Sequence, residues 1–250
     1  MESLQREGAR AKARRSARLE PFDSYWQAPA NVESGYEAFA AYYRANYLPQ
    51  LPEDRNSRIL VVSCGPGYLV EVLRQAGYRD VIGIDSDPAK LEFARRRGLP
   101  CELAGAFEFL AGRSEEFDVI VPEQELNHLT LHETVAFLQL ARSALRSGGR
   151  IVSYAVNGAN PFVGAESLAQ NIDHFYTVTE YSLRQLLTLG GFVRIEAFPL
   201  KLYVFYRNPL NYLGLAGVVV LEAALRIVFR LYGKKVQILS KKIGAVAFRA

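Results

Sequence analysis

Cysteine, histidine, tryptophan and methionine are all scarce in this 250-residue sequence, at two, three, one and one. Cys64 and Cys101 are too few for a disulfide framework and lack metal-ligand spacing, so a reducing compartment is the expected setting. Three histidines outside any Cys/His cluster leave no donor set for a structural metal, and none is expected. No uninterrupted apolar run reaches the ~18 residues of a spanning helix. The longest candidate, PLNYLGLAGVVVL (209 to 221), stops at Glu222. The first twenty residues contain no apolar stretch of the kind that drives secretion, so a secretory signal is not expected there. Internal repeats and low-complexity linkers are absent as well.

What is present fits one domain with decorations: half the residues are apolar and 22% are charged. The net charge of +4 is concentrated in residues 1–20, where six basic side chains stand against three acidic ones. No aromatics are interleaved with these charges, which favours a solvated tail over a nucleic-acid or lipid patch. After PLNYLGLAGVVVL, Arg226 and Arg230 follow Glu222 at four-residue steps, giving an amphipathic helix over 211–231. Its apolar side is expected to pack on its own domain. Lys234, Lys235, Lys241 and Lys242 nearby keep peripheral membrane contact open.

From residue 57 onward, apolar runs alternate with helix-period segments, the pattern of a parallel sheet covered on both faces. Strands are predicted at 58–63, 80–85, around 100–104, and at 117–121, 150–156 and 192–200. A last edge strand is predicted over 243–250. Helices are predicted at 68–77, from Asp87-Pro88 onward, at 133–149 with a Gly-Gly stop, and at 182–192. The segment from Pro21 to Leu51 carries eight aromatic residues and reads as a helical cap. Its Trp26, Tyr42 and Tyr43 are weighed as core against a substrate role. The expected division is a basic tail at 1–20, a cap at 21–56, a core at 57–205, and a helix with the final edge strand at 206–250.

The stretch VVSCGPGYLV (61 to 70) turns after a strand and opens a helix, so backbone N–H groups and a helix N-terminus face any nucleotide-like ligand. Glycines at 65 and 67 permit close approach. A dinucleotide loop wants a third glycine at position 70, which is Val. Asp85 ends the next strand about twenty residues on, where a carboxylate can accept both hydroxyls of a ribose. Ser86 and Asp87 remain to cap the helix that follows.

Together ILVVSCGPGYLVEVL, VIGIDSDP, FDVIV with LNHL, and ALRSGGRIVSYAVNGANP resemble the successive motifs of class I S-adenosylmethionine-dependent methyltransferases. The flanking SYWQAPANVESGYEAFAAYYRANYLPQLP and DHFYTVTEYSLRQLLTLGGF are similar to methyltransferases of bacterial polysaccharide and glycan biosynthesis. The resemblance implies a Rossmann-like, doubly wound sheet of seven mostly parallel strands with an antiparallel last strand. It implies S-adenosylmethionine as cofactor, held by Ser63, Cys64, Gly65, Pro66, Gly67, Asp85, Ser86, Ala106, Phe107, Gln124 and Glu125. Three positions depart from the family's pattern. The acidic residue two before the loop's first glycine is Val61, and that glycine is Ser63. The aspartate expected at the adenine is replaced by Gly105-Ala106, and the Glu-His pair of the fourth loop has become Asn127-His128. Each lost hydrogen bond costs about 0.5 to 1.5 kcal/mol, so two weaken binding about ten- to a hundredfold without abolishing it. Glu108 and Glu123 are candidate substitutes.

Methyl transfer is an in-line displacement that mainly needs alignment. A hydroxyl acceptor also benefits from a general base near neutral pH. His128 follows the fourth strand, and each of His128 and His174 is weighed as base against a loop-packing role, with Tyr176 as a substrate contact. His132 opens a helix and is expected at the surface. The expectation is thus an O-methyltransferase acting on a sugar, glycan or other small hydroxylated acceptor, cytoplasmic and open to membrane association. The alternative is a methyltransferase-fold binding module without turnover, motivated by Val61, Ser63 and Gly105. An NAD-dependent oxidoreductase is disfavoured by Val70, and a nucleic-acid substrate by the confinement of positive charge to the tail.

Overall fold

A computed structural model describes residues 29–123, 126–170, 174–200 and 210–250. The basic segment 1–20, Trp26, Gln124 and Glu125 lie outside the described residues. The chain begins with helix α1 (Pro29–Asn46) and continues through β1 (Arg58–Val62), α2 (Tyr68–Gln75), β2 (Asp80–Asp85), α3 (Pro88–Arg96), β3 (Cys101–Leu103), α4 (Ala106–Leu110) and β4 (Phe117–Pro122). It goes on through α5 (Leu131–Ala144), β5 (Leu145–Val156), α6 (Gly164–Gln170), α7 (Glu180–Leu189), β6 (Val193–Pro199), α8 (Leu210–Leu231) and β7 (Lys242–Phe248). This is the predicted alternation of strands and helices.

The seven strands form one sheet in the order β3-β2-β1-β4-β5-β7-β6. β1 to β5 are parallel, whereas β7 runs antiparallel to both its neighbours. After Arg58, β1 is apolar from Ile59 to Val62 because it is buried on both faces. Leu60 and Val62 enter the core beneath α5 and α7, and Ile59 and Val61 enter the opposite core beneath α1 and α2. Strand order reverses between β1 and β4, so the crevice beyond their carboxyl ends is where a ligand of an open α/β sheet is expected.

Local signals account for several boundaries. Asp87 caps α3 by accepting from the N–H groups of Ala89 and Lys90, and Pro88 occupies the first turn, where its missing N–H costs nothing. Thr130 and Glu133 form a reciprocal capping box at the start of α5.

Three expectations are corrected. The Gly-Gly pair does not end α5, which stops at Ala144. Leu145 already pairs with Phe117, and the ladder shifts register between Phe117 and Val119. Gly148 has a positive φ of 74°, and a Cβ on Gly149 would lie 2.9 Å from the Arg146 carbonyl, so the glycines serve an irregularity inside β5. β7 is not an edge strand: it lies between β5 and β6, with Ile243 to Ala247 buried, and the more exposed β6 is the edge. Finally, the apolar side of α8 does not pack on the domain. Leu213, Val220, Ile227 and Leu231 are all more than half exposed.

Candidate active site

The loop after β1 is drawn tight by its own strand neighbours. Cys64 N–H donates to the Ile84 carbonyl (2.9 Å), and Gly67 N–H donates to the Cys64 carbonyl (2.9 Å). Ser63, Gly65 and Gly67 all have positive φ, at 57°, 53° and 87°. That conformation is natural for glycine and strained for Ser63, which stands where the family has glycine. A Cβ on Gly67 would meet Leu99 at 2.8 Å, whereas one on Gly65 would meet nothing within 4 Å. The backbone at Gly65 is therefore open to a ligand. The Cys64 thiol is held protonated by its hydrogen bond with Cys101 and by burial, and both cysteines are free. Both thiols crowd over Gly83, where a Cβ would come within 2.8 Å of one and 2.9 Å of the other. Cys64 is thus a packing residue of the loop.

Asp85 ends β2 beside this loop and is buried. One carboxylate oxygen accepts the Gly65 N–H and the other the Asp87 N–H, each at 2.8 Å. Asp85 therefore shapes the loop, and each oxygen keeps a second lone pair for a ligand hydroxyl. Ser86 follows at the turn into α3. At the turn after β3, Gly105 caps α4, and a Cβ there would lie 3.3 Å from a Glu108 carboxylate oxygen. A carboxylate from Glu108 thus lies close to the position where one is missing at Gly105. Ala106 opens α4, and the Phe107 ring packs edge-on against Phe137 in the core.

The acid missing at Val61 has a counterpart one strand away. Val61 pairs with Val121, and Glu123 continues the same alternation just beyond β4, with its N–H donating to the Val62 carbonyl (2.8 Å). Tyr43, from α1, donates its hydroxyl to Glu123 Oε1. Glu123 Oε2 is buried with no hydrogen-bond partner. Burial raises the carboxyl to about 8, against the opposing pull of the Tyr43 hydrogen bond and the Lys242 charge. A buried, partnerless carboxyl oxygen costs free energy until a hydrogen-bonding partner or a cation meets it. Val61 itself is fully buried among apolar side chains.

Helix α1 covers this edge. Tyr36 donates to the Pro66 carbonyl (2.6 Å), and Tyr68, at the start of α2, donates to the Val32 carbonyl (2.9 Å). Gly35 leaves the room that the Tyr68 ring fills. The Arg97 guanidinium lies 3.6 Å over the Tyr36 ring and pairs with Glu33 and Glu71 at 2.9 Å each. Tyr42, Tyr43 and Tyr47 pack together, and Tyr47 stacks on Tyr154 of β5 with centroids 3.8 Å apart. The Tyr154 hydroxyl is another buried atom without a partner. The two described candidates from the cap, Tyr42 and Tyr43, therefore sit at the crevice, with Tyr43 committed to Glu123.

Residues 59–149 match a family model described as a methyltransferase domain. The chain is 30% identical over 135 residues to a ubiquinone biosynthesis O-methyltransferase of Saccharophagus degradans, covering 49% of this chain and 56% of that protein. It is 29% identical over 120 residues to the protein of the same name from Hydrogenovibrio crunogenus, covering 46% of this chain and 48% of that protein. The chain thus spans about half the length of the curated relatives it matches. A SAM-dependent methyltransferase structure from Archaeoglobus fulgidus shares the fold with a TM-score of 0.63 at 16% identity, covering 85% of this chain and 94% of that one. The S-adenosylmethionine expectation accords with these matches, and the open backbone at Gly65, Asp85 and the unpartnered Glu123 oxygen fit such a cofactor.

The fold also brings together two histidines that lie far apart in sequence. His128 ends a 3-10 turn at Leu126–His128, just after β4. His174 follows α6, and the two rings meet edge to face with centroids 4.6 Å apart and planes at 81°. His174 Nδ1 lies 2.5 Å from the Ser167 carbonyl oxygen, which can only accept, so Nδ1 donates there and in the neutral ring Nε2 carries the lone pair. That is the tautomer of a base. Beside them the Asn127 side-chain amide is buried with neither its oxygen nor its nitrogen partnered, while its backbone carbonyl accepts the Phe175 N–H (2.8 Å).

Tyr176 is placed differently. Its hydroxyl donates to the Leu126 carbonyl (3.1 Å) and lies 2.7 Å from the Thr134 hydroxyl, and its ring packs on the core, so it ties the histidine loop to α5. His132 is exposed in the first turn of α5, as expected. Among the described residues no group of three or more His, Cys, Asp or Glu side chains could hold a metal ion. Reading the sequence gave Glu123 only as a possible substitute and left Asn127 as a departure from the family's pattern. The available signal was an acid directly after the buried apolar run Val119–Val121 and Pro122.

Proposed function

We propose that this protein is an S-adenosylmethionine-dependent O-methyltransferase acting on a hydroxyl of a sugar, glycan or other small acceptor in the cytoplasm. The observation that carries the reading is the His128–His174 pair beyond β4, with the His174 tautomer fixed by the Ser167 carbonyl. The cofactor supplies an activated methyl group on a sulfonium. Asp85 receives its ribose hydroxyls, Gly65 and Gly67 let it lie against the loop backbone, and Glu123 faces its cationic amino-acid end.

His174 Nε2 would take the acceptor hydroxyl's proton as its oxygen bonds to the methyl carbon and the carbon–sulfur bond breaks, releasing S-adenosylhomocysteine, and His128 holds the neighbouring ring in place. Such a base contributes about 10²–10⁴-fold. The buried Asn127 amide is positioned to orient the acceptor. Oxygen as the methylated atom is supported by the names of the two curated relatives. The sugar or glycan class is supported by the resemblance of the segments flanking the core.

The test is transfer of labelled methyl from S-adenosylmethionine to a panel of sugars, lipid-linked sugars and phenols by the purified protein. Calorimetry with S-adenosylhomocysteine runs alongside. Heat of binding and transfer to a hydroxyl are expected; absence of heat at millimolar ligand would favour a fold that has lost its cofactor.

A further inference from the structure

Helix α8 is inside out for a helix of a water-soluble domain. Its partly sheltered stripe consists of Leu215, Val218, Glu222, Leu225, Arg226 and Phe229, and it contains the Glu222–Arg226 ion pair at 3.1 Å. At 100° per residue, the opposite half of the wheel holds Leu213, Val220, Ile227 and Leu231, with alanines, Gly217 and Val228 between them and no charged residue. All four of the named large side chains point to solvent. A surface helix normally turns this stripe to the core. The ends of α8 are marked by exposed Tyr212 and Tyr232, and exposed Arg230, Lys234 and Lys235 cluster at its C-terminal end.

By length and composition α8 could cross a membrane. Its C-terminal connection ties it to the domain instead. α8 leaves the sheet after β6 and returns at β7, and Pro199 pairs with Ile243, so the excursion starts and ends at adjacent points. On the return, Arg226 donates to the Gln237 carbonyl (3.4 Å). The next three residues are pinned to the domain: Asn157 donates to the Ile238 and Ser240 carbonyls, and Asn160 to that of Leu239. From Leu231 to Ile238 the chain reaches at most about 25 Å, short of a ~30 Å hydrocarbon core. The C-terminal part of α8 is therefore held beside the domain.

We propose that α8 docks in the plane of an anionic membrane, its outward apolar face in the headgroup-acyl boundary and its basic C-terminal cluster on acidic headgroups. The occupant is lipid because apolar side chains, end-placed tyrosines and terminal basic residues together match the layers of a bilayer interface. The consequence for chemistry rests on the methyltransferase reading. α8 hangs from the edge where Lys242 pairs with Val156, the carboxyl end of β5. That is the same sheet edge as the glycine loop and the histidine pair, so docking brings the site to an acceptor carried in the membrane.

The test uses the full chain and sedimentation with phosphatidylcholine vesicles, with and without phosphatidylglycerol. Wild type is expected to sediment, more strongly with the anionic lipid. Val220→Glu/Ile227→Glu is expected to lower partitioning at least about tenfold. Lys234→Glu/Lys235→Glu is expected to lower it about fivefold per lysine, on anionic vesicles alone. Both variants should bind S-adenosylhomocysteine as wild type does, so a failed cofactor assignment shows in calorimetry and a failed membrane assignment in sedimentation. Wild type remaining in the supernatant with every vesicle, or Val220→Glu/Ile227→Glu sedimenting equally, overturns the proposal. Light scattering showing a wild-type dimer that this variant dissolves assigns the face to a second copy and overturns it too.

Discussion

If Glu123 faces the cationic end of the cofactor, ligand affinity must carry the signature of its displaced titration. Burial raises the carboxyl to about 8, so the free protein near neutral pH holds it mostly protonated. An ammonium group binds the ionised form better. Between pH 6 and pH 7 the ionised fraction rises from about 1% to about 9%, and the ammonium, with an ordinary value near 8, stays largely intact. S-adenosylhomocysteine should therefore bind roughly tenfold tighter at pH 7, a gain of about 1.4 kcal/mol. Glu123→Gln fixes the neutral form. It should already bind more weakly than wild type at pH 6, fall roughly a further tenfold behind at pH 7, and show a flat profile between. Tyr43→Phe removes the donor that favours the ionised carboxyl, so the rise should move to higher pH. Titration calorimetry at several pH values reads all three. A wild-type profile without slope, or an equal slope in Glu123→Gln, would refute the assignment, because the histidines remain in the variant to account for it.

The same carboxyl affects stability with a definite sign. Its folded value lies above the ordinary 4.5, so the native state holds the extra proton between them, and stability should be lost as pH rises from about 4.5 to about 8. Urea titrations of wild type and Glu123→Gln should converge at low pH and separate above it, with the variant more stable. Ser63→Gly relieves a left-handed serine and should stabilise the protein by about 0.5–1 kcal/mol, read in the same titration. Asp85→Ala removes the acceptor of the Gly65 and Asp87 N–H groups; it should lower stability by about 2–4 kcal/mol and weaken S-adenosylhomocysteine binding more than tenfold, and unchanged binding would remove Asp85 from the site. His174→Ala should reduce methyl transfer about 10²–10⁴-fold while leaving cofactor affinity intact, and full activity would remove its assignment as base.

What the sequence disclosed was local. The Asp87-Pro88 start of α3 and the glycine loop with Asp85 on the next strand are short-range patterns with direct mechanical reasons, and the structure realises both. Misreadings arose where distant segments decide. A Gly-Gly pair normally stops a helix, but Leu145 is already held by Phe117, so the strand begins first. Nothing in GAVAF states that it enters between β5 and β6, because insertion depends on partners far away along the chain. The apolar side of α8 was legible as apolar; its direction was not, since periodicity fixes a face without saying what it meets. Likewise, His128 and His174 were each visible, and their contact followed only from the fold.

The position of β7 also sets an order of events during synthesis. Among the described residues β6 bonds to no strand but β7, and α8 is made between the two. As the chain emerges, β6 and the free side of β5 must wait for β7 before that half of the sheet can form, a non-local step that is slow relative to helix formation. The apolar α8 therefore leaves the ribosome before the strand that closes the sheet around its base. A membrane that captures the helix at that moment would shelter it from aggregation and hold the unfinished edge in place until β7 arrives.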